Sequence, residues 1–300
     1  MKAVITGALG NISRPLAEQL LAAGHAVTVV SHNPARKPAI ESIGAKAAIG
    51  SVADGAFVTA AFRDADAVYT MVPPDFTVPD YNAFSRQVLD NYAAAIMQAD
   101  VRHVVNLSSV GSALAGTSPL TGYQNLEERM NTLDGINLLH LRPGAFYTNF
   151  YGSIPLIMQH AVLGNNFNGD VMLYLTHPRD IAGCAFEAFT NGFSGMQHRA
   201  IVSDRKRGNE IATLLGTAIG KELRWMEFTD DQLLDRLTQN GFARDAAQHY
   251  VVNMGKAIRE GLLERHYKED EQEAYGRIGF EAFAQEFAAL YRARVAAPVA

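Results

Sequence analysis

Apolar runs of strand length recur through the first half of the chain, with helix-like spacing between them. Residues 3–6, 26–30, 45–49, 67–72, 101–107 and 136–141 form these runs, and 12–23 between the first two places Leu16, Leu20 and Leu21 on one side. Near-continuous Val, Ile and Leu content suits strands covered on both faces. Strands alternating with helices predict βαβ units, and right-handed crossovers then wind them into a doubly wound parallel sheet of the α/β class. The second half is patterned differently. Residues 146–168 are rich in aromatics, Gly and Asn and show little periodicity. His177-Pro178-Arg179-Asp180 precedes an apolar helix, with Pro178 suited to its first position. Thr229-Asp230-Asp231-Gln232 matches a capping box, and helical patterns follow near 243–260 and 280–294. This divides the chain into 1–145 and a smaller α+β region over 146–300, with about 170–190 packing back on the first part.

Composition narrows the function classes. The 300 residues are 48% hydrophobic and 19% charged, which suits a globular chain with a sizeable core and argues against disorder. Twenty-six basic against 31 acidic residues give −5, so no nucleic acid or anionic membrane is expected as the main partner. The one cysteine, Cys184, allows no intrachain disulfide and reads as a buried, inert thiol. The histidines lack zinc spacing, so no metal site is expected. No run of about 18 apolar residues and no signal-peptide core is present, so a cytoplasmic location is expected.

The candidate chemistry starts at the first strand–helix turn, Thr6-Gly7-Ala8-Leu9-Gly10-Asn11-Ile12-Ser13. Gly7 permits a tight turn, and Gly10 lets backbone approach a pyrophosphate. The helix from Asn11 offers free N–H groups and the positive end of its dipole. Ser13 stands where a third glycine is usual. In this context the turn predicts a dinucleotide site. After the second strand, Ser31-His32-Asn33-Pro34-Ala35-Arg36-Lys37 has no acid to bind a ribose. Arg36, Lys37 and His32 could instead attract a 2′-phosphate, so NADP(H) is favoured over NAD(H); a solvated helix turn is the plainer reading of Arg36 and Lys37. Val72 and Pro73 follow the fourth strand and could line the nucleotide or form only a rigid loop. Ser108 and Ser109 end the fifth strand, as substrate-facing hydroxyls or as backbone caps. Phe146, Tyr147, Asn149 and Phe150 follow the sixth; Phe146 could flank a nicotinamide and the others a planar substrate, with core packing the alternative.

Thr6-Gly7-Ala8-Leu9-Gly10-Asn11-Ile12, His32-Asn33-Pro34, Val104-Val105-Asn106-Leu107-Ser108-Ser109, Leu141-Arg142-Pro143-Gly144-Ala145-Phe146 and Arg179-Asp180-Ile181-Ala182 occur in that order over residues 1 to about 260. Together they resemble the NmrA-like group of atypical short-chain dehydrogenases/reductases, which includes quinone reductases of the second type and redox-sensing regulators. The resemblance implies a Rossmann-type dinucleotide-binding domain over 1–145, with Gly7, Leu9, Gly10, Asn11 and Ile12 on the cofactor, and a substrate-binding region over most of 146–300.

Related dehydrogenases use a Tyr with a Lys four residues later as proton donor and cation. Counting back from Gly135 and Leu141-Arg142-Pro143 places the Lys position at Gln124 and the Tyr position at Leu120. Nearby Tyr123 has Glu127, not Lys, four residues on. The pair is missing, since Gln124 can hydrogen-bond but not titrate. Tyr123 could still reach the pocket as a donor, or could simply pack. Hydride transfer is the cofactor's chemistry, and a quinone, whose oxyanion is stabilised by conjugation, can take its proton from solvent. The sequence therefore predicts an NAD(P)H-dependent oxidoreductase acting on a quinone or similar conjugated small molecule, with a homodimer allowed for. A nucleotide-sensing regulator without turnover is the alternative.

Overall fold

The computed structural model describes residues 1–114, 120, 123, 125–269 and 276–296. Seven strands form one parallel sheet in the order β10-β6-β5-β4-β1-β2-β3. They are β1 (Lys2–Ile5), β2 (Ala26–Ser31), β3 (Lys46–Ile49), β4 (Ala67–Thr70), β5 (His103–Leu107), β6 (Asn137–Pro143) and β10 (Met196–Ile201). The six expected strands are present within a few residues. The seventh was not expected: Met196-Gln197-His198-Arg199 opens it with polar and exposed positions, because β10 is an edge strand. The order reverses between β1 and β4, the switch point where an open sheet leaves a crevice at its carboxyl ends.

Strand alternation feeds two separate cores. Ile5, Val29, Tyr69, Val105 and Leu141 face helices α1 (Ser13–Ala22) and α8 (Pro178–Asn191), meeting Leu16, Leu20, Ile181 and Ala185. Val4, Val30, Val68, Val104 and Leu138 face α3 (Gly55–Phe62) and α4 (Tyr81–Gln98), meeting Val58, Phe62, Leu89 and Tyr92. The first packing brings α8 onto the sheet, whereas residues 172–176 before it belong to a separate small sheet. Buried Cys184 lies in this core, where burial pushes its thiol up to about 11. Among the described residues, short helices α2 (Lys37–Ser42), α5 (Val110–Ala113) and α6 (Asn125–Glu128) also lie in the connections up to β6.

The remaining strands form two small sheets. β11 (Asp204–Arg207), β9 (Met172–Thr176) and β7 (Ala145–Phe146) make one; β12 (Arg224–Glu227) and β8 (Val162–Asn165) make the other. Around them lie α7 (Ile154–His160), α9 (Gly208–Ile219), α10 (Asp230–Gln239), α11 (Arg244–Ala246), α12 (Asn253–Arg259), α13 (Leu262–Glu269) and α14 (Phe280–Ala296). A π-helical stretch, Ala247–Val252, joins α11 to α12. The helix starts follow their local signals. Arg179 N donates to His177 Nδ1 at 3.0 Å, with Pro178 in the first turn of α8. Thr229 and Gln232 satisfy each other's backbone N–H groups at 3.1 and 2.9 Å.

Asp180 ties this region to the sheet layer. Its buried Oδ2 accepts from Ser203 Oγ at 2.5 Å and from the backbone N–H groups of Arg277 and Ile278 at 3.0 and 3.1 Å. No helix among the described residues is long and apolar enough to cross a membrane.

Candidate nucleotide site

The glycine turn sits at the carboxyl end of β1, beside the switch point. Gly7 (φ 92°) and Ala8 (φ 53°) both have positive φ, which bends the chain into α1. Ala8 N donates to Val30 O at 2.9 Å, and Met71 N donates to Thr6 Oγ1 at 2.9 Å, so the turn is anchored to β2 and to the end of β4. Ser13 Oγ donates to Thr6 O at 2.7 Å; it closes helix against strand and does not cap α1. Among the described residues no acceptor is found for the backbone N–H groups of Leu9, Asn11 and Ile12. Those donors and the uncapped α1 terminus fit a pyrophosphate.

The two glycines differ in kind. A Cβ on Gly7 would stand 2.4 Å from Met71 Sδ and 2.7 Å from Ser13 Oγ, in a backbone conformation that disfavours side chains. A Cβ on exposed Gly10 would meet only Gly7 O, at 3.1 Å, so the space above it is a cradle that a side chain would fill.

The loop after β2 is held by its own polar groups. Asn33 N donates to Ser31 Oγ at 3.2 Å and Ala35 N to Asn33 Oδ1 at 2.9 Å. His32 and Arg36 are exposed. Lys37 pairs with Glu41 at 3.8 Å, whereas the Arg36 guanidinium has no partner among the described residues. Beyond β4, Val72 is buried and Pro73 half-buried; the Pro73 carbonyl accepts from Tyr81 Oη at 3.1 Å, fixing that loop.

The expected substrate side divides. Phe146 and Phe150 are half-buried and Asn149 is exposed. Tyr147 is fully buried, and its hydroxyl donates to Ile278 O at 2.8 Å among Phe280, Phe283 and His177. The structure thus corrects its expected substrate-facing role: Tyr147 packs a third core, with Leu173, Leu175, Phe280 and Phe283. Tyr123 rests over Gly111 and against Tyr250, whose carbonyl accepts its hydroxyl at 2.9 Å. Burial, and after it Tyr250, raises the Tyr123 phenol above its ordinary range. Leu120 is fully buried. Gln124 lies outside the described residues.

A polar cluster the sequence reading did not assemble joins the carboxyl ends of β5 and β6 beneath α6. Arg142 grips buried Glu127 side-on, Nε to Oε1 at 2.8 Å and Nη2 to Oε2 at 2.6 Å; Ser108 Oγ donates to Oε1 at 2.5 Å. Burial by itself would raise the Glu127 carboxyl, but Arg142, with His140 and Ser108, holds it below the usual carboxylate range. Next to it, Thr70 Oγ1 donates to Asn106 Oδ1 at 2.9 Å, while Asn106 Nδ2 serves Leu126 O and His140 Nδ1, both at 3.0 Å. His140 Nε2 faces Asn131 Oδ1 at 2.8 Å, so a neutral ring satisfies both neighbours. Desolvation lowers the His140 pKa to about 4.

That depression sets a pH dependence. Between about 6.5 and about 4 the unfolded chain binds a proton at His140 that the folded chain does not, so stability is present above this window and is lost as pH falls through it. Glu127, depressed as well, adds a further loss below the usual carboxylate range. His140→Gln is expected to flatten the fall between pH 6.5 and 4 by on the order of 3 kcal/mol at most. His177, also lowered by burial, leaves a residual slope. Urea midpoints measured across this range check the difference; parallel curves for the two proteins would contradict it.

Residues 7–132 match a family model described as NAD(P)H-binding. No curated protein matches the chain. An NADPH-dependent quinone oxidoreductase from Escherichia coli, solved with NADPH, is 19% identical, covering 95% of this chain and 99% of its own, with a TM-score of 0.73. A triphenylmethane reductase from Citrobacter sp. is 15% identical over 96% of this chain and 100% of its own, with a TM-score of 0.75. A nucleoside-diphosphate-sugar epimerase from Staphylococcus aureus is 15% identical over 95% and 100%, with a TM-score of 0.74. The fold is thus Rossmann-like, and residues 7–132 are similar to NAD(P)H-binding domains.

Proposed function

We propose that the chain is an NADPH-dependent oxidoreductase that reduces a quinone or similarly conjugated small molecule. The observation that carries the choice of acceptor is the Tyr123–Tyr250 link. It commits the tyrosine nearest the expected donor position to a backbone carbonyl, and burial raises its pKa further. Glu127, four residues on, is likewise engaged, by Arg142. A simple ketone benefits from a built-in acid, whereas a conjugated acceptor can take its proton from water. Two proteins of the same fold are named for conjugated acceptors, a quinone and triphenylmethane dyes.

In this reading Leu9, Asn11 and Ile12 hold the pyrophosphate through their N–H groups, and Gly10 lets it approach. Val72, Pro73 and Phe146 flank the nucleotide, and Asn149 and Phe150 border the acceptor. The reduced nicotinamide, when bound, supplies the hydride. The protein positions the acceptor against the nucleotide. Tyr123→Phe should keep quinone reduction within about tenfold, or roughly 1.4 kcal/mol of barrier. A loss of several orders of magnitude, with folding and NADPH affinity intact, would make Tyr123 an essential acid and overturn the solvent-proton reading.

The NADP preference is assigned to the β2 loop, on the free guanidinium of Arg36 and the absence of an acid between Ser31 and Lys37. Arg36→Ala is expected to weaken NADPH more than NADH. The ceiling is about 1.5–3 kcal/mol for a charge-assisted bond, reduced here by exposure. Calorimetry with both cofactors decides; an equal loss would remove Arg36 from phosphate recognition. The engaged Tyr123 also favours a second reading, a nucleotide sensor that binds without turnover.

A further inference from the structure

Glu127 stands four residues beyond Tyr123, where a Tyr/Lys pattern would place a cation, and the cation beside it comes from a different element. Arg142 on β6 uses Nε and one N–H of Nη2 to hold the carboxylate. Nη1 has no partner among the described residues, and 17% of the Arg142 side chain is exposed against 8% for Glu127. Part of the guanidinium-bearing side chain is thus open to solvent. It lies next to Ser108, at the carboxyl ends of β5 and β6, the edge where open parallel sheets receive ligands. The side-on grip on a buried carboxylate fixes the guanidinium plane, so its outer edge is a pre-set donor face. The pair has no net charge, and its positive partner is the more exposed of the two, 17% against 8%.

We propose that the outer edge of Arg142 binds an anionic oxygen, namely the acceptor oxygen on which negative charge collects during reduction. This rests on the reductase reading for the identity of the acceptor. As the acceptor gains a C–H bond with the hydride's electron pair, its conjugated π pair moves onto the carbonyl oxygen. That oxygen then takes a proton from water, giving the reduced acceptor and the oxidised nucleotide. Arg142 would meet the oxygen while it is charged, which is the role left open by the missing lysine.

The test measures binding without turnover, so failure of the reductase reading does not decide it. The full-length protein is titrated with 2-hydroxy-1,4-naphthoquinone, an anion at neutral pH, and with its neutral 2-methyl counterpart, each with and without NADP⁺. The native protein is expected to favour the anion by about tenfold or more, as for a charge-assisted hydrogen bond, with NADP⁺ present or absent. Arg142→Lys keeps a charge for Glu127 but loses the fork and its outer edge, and should abolish the preference. The double variant Glu127→Gln/Arg142→Gln replaces the ion pair by a neutral hydrogen-bonded pair and should do the same. Circular dichroism identifies which variants retain the native fold. Equal affinities in the native protein, a preference that survives in a folded variant, or displacement of the anion by NADP⁺ would each overturn the proposal.

Discussion

Gly10→Val is expected to weaken binding of both NADPH and NADH by about a hundredfold or more, roughly 2.8 kcal/mol, while leaving the fold in place. The first atom of the new side chain would meet only Gly7 O at 3.1 Å, a contact relieved by a small shift. The two γ-methyls would then occupy the cradle over the free N–H groups of Leu9, Asn11 and Ile12. They would block close approach of the pyrophosphate and leave those donors to water. The effect falls on both cofactors because both carry the pyrophosphate. Gly7→Ala makes the control: its Cβ would stand 2.4 Å from Met71 Sδ at φ 92°, so it should lose stability as well as binding. Calorimetry on folded Gly10→Val decides the matter, and unchanged affinity would remove the glycine turn from the nucleotide site.

The second large effect is on stability. Glu127→Ala removes the carboxylate from a cluster in which Arg142 and Ser108 both donate to it. Breaking a buried pair costs about 3–5 kcal/mol, and the lower end applies here because the Arg142 side chain is partly exposed. The double variant Glu127→Gln/Arg142→Gln should recover most of this loss, since no charge is then stranded. Urea unfolding of the single and double variants measures the coupling. A single variant as stable as the native protein would show that the pair is no structural support for the β5–β6 edge.

What the sequence made legible was local. Six strands announced themselves as apolar runs because both faces of the sheet are covered. The Gly7–Ser13 turn, the His177 cap and the Thr229 capping box each lie within a few residues of the backbone groups they serve. What stayed hidden depends on partners far along the chain. β10 lies at an edge, so half of it reads as polar. Tyr147 carries an aromatic and a hydroxyl that suit a ligand pocket equally well, and only the distant segment at Ile278 reveals it as core. Tyr123 meets its acceptor 127 residues away. Glu127 and Arg142 are separated by the connection into β6, and nothing in their spacing marks them as a pair. One signal was present: an acid at the position four after Tyr123 requires a neighbouring cation if it is buried.

The central claim is tested most directly by NADPH oxidation by the purified chain, with 2-methyl-1,4-naphthoquinone as the only acceptor and a simple aliphatic ketone in parallel. Saturable turnover with the quinone, one NADPH consumed per quinone reduced, and none above background with the ketone is the predicted result. Comparable turnover of the ketone would contradict the account by requiring a built-in acid, and saturable NADPH binding with no turnover of either would make the protein a nucleotide sensor.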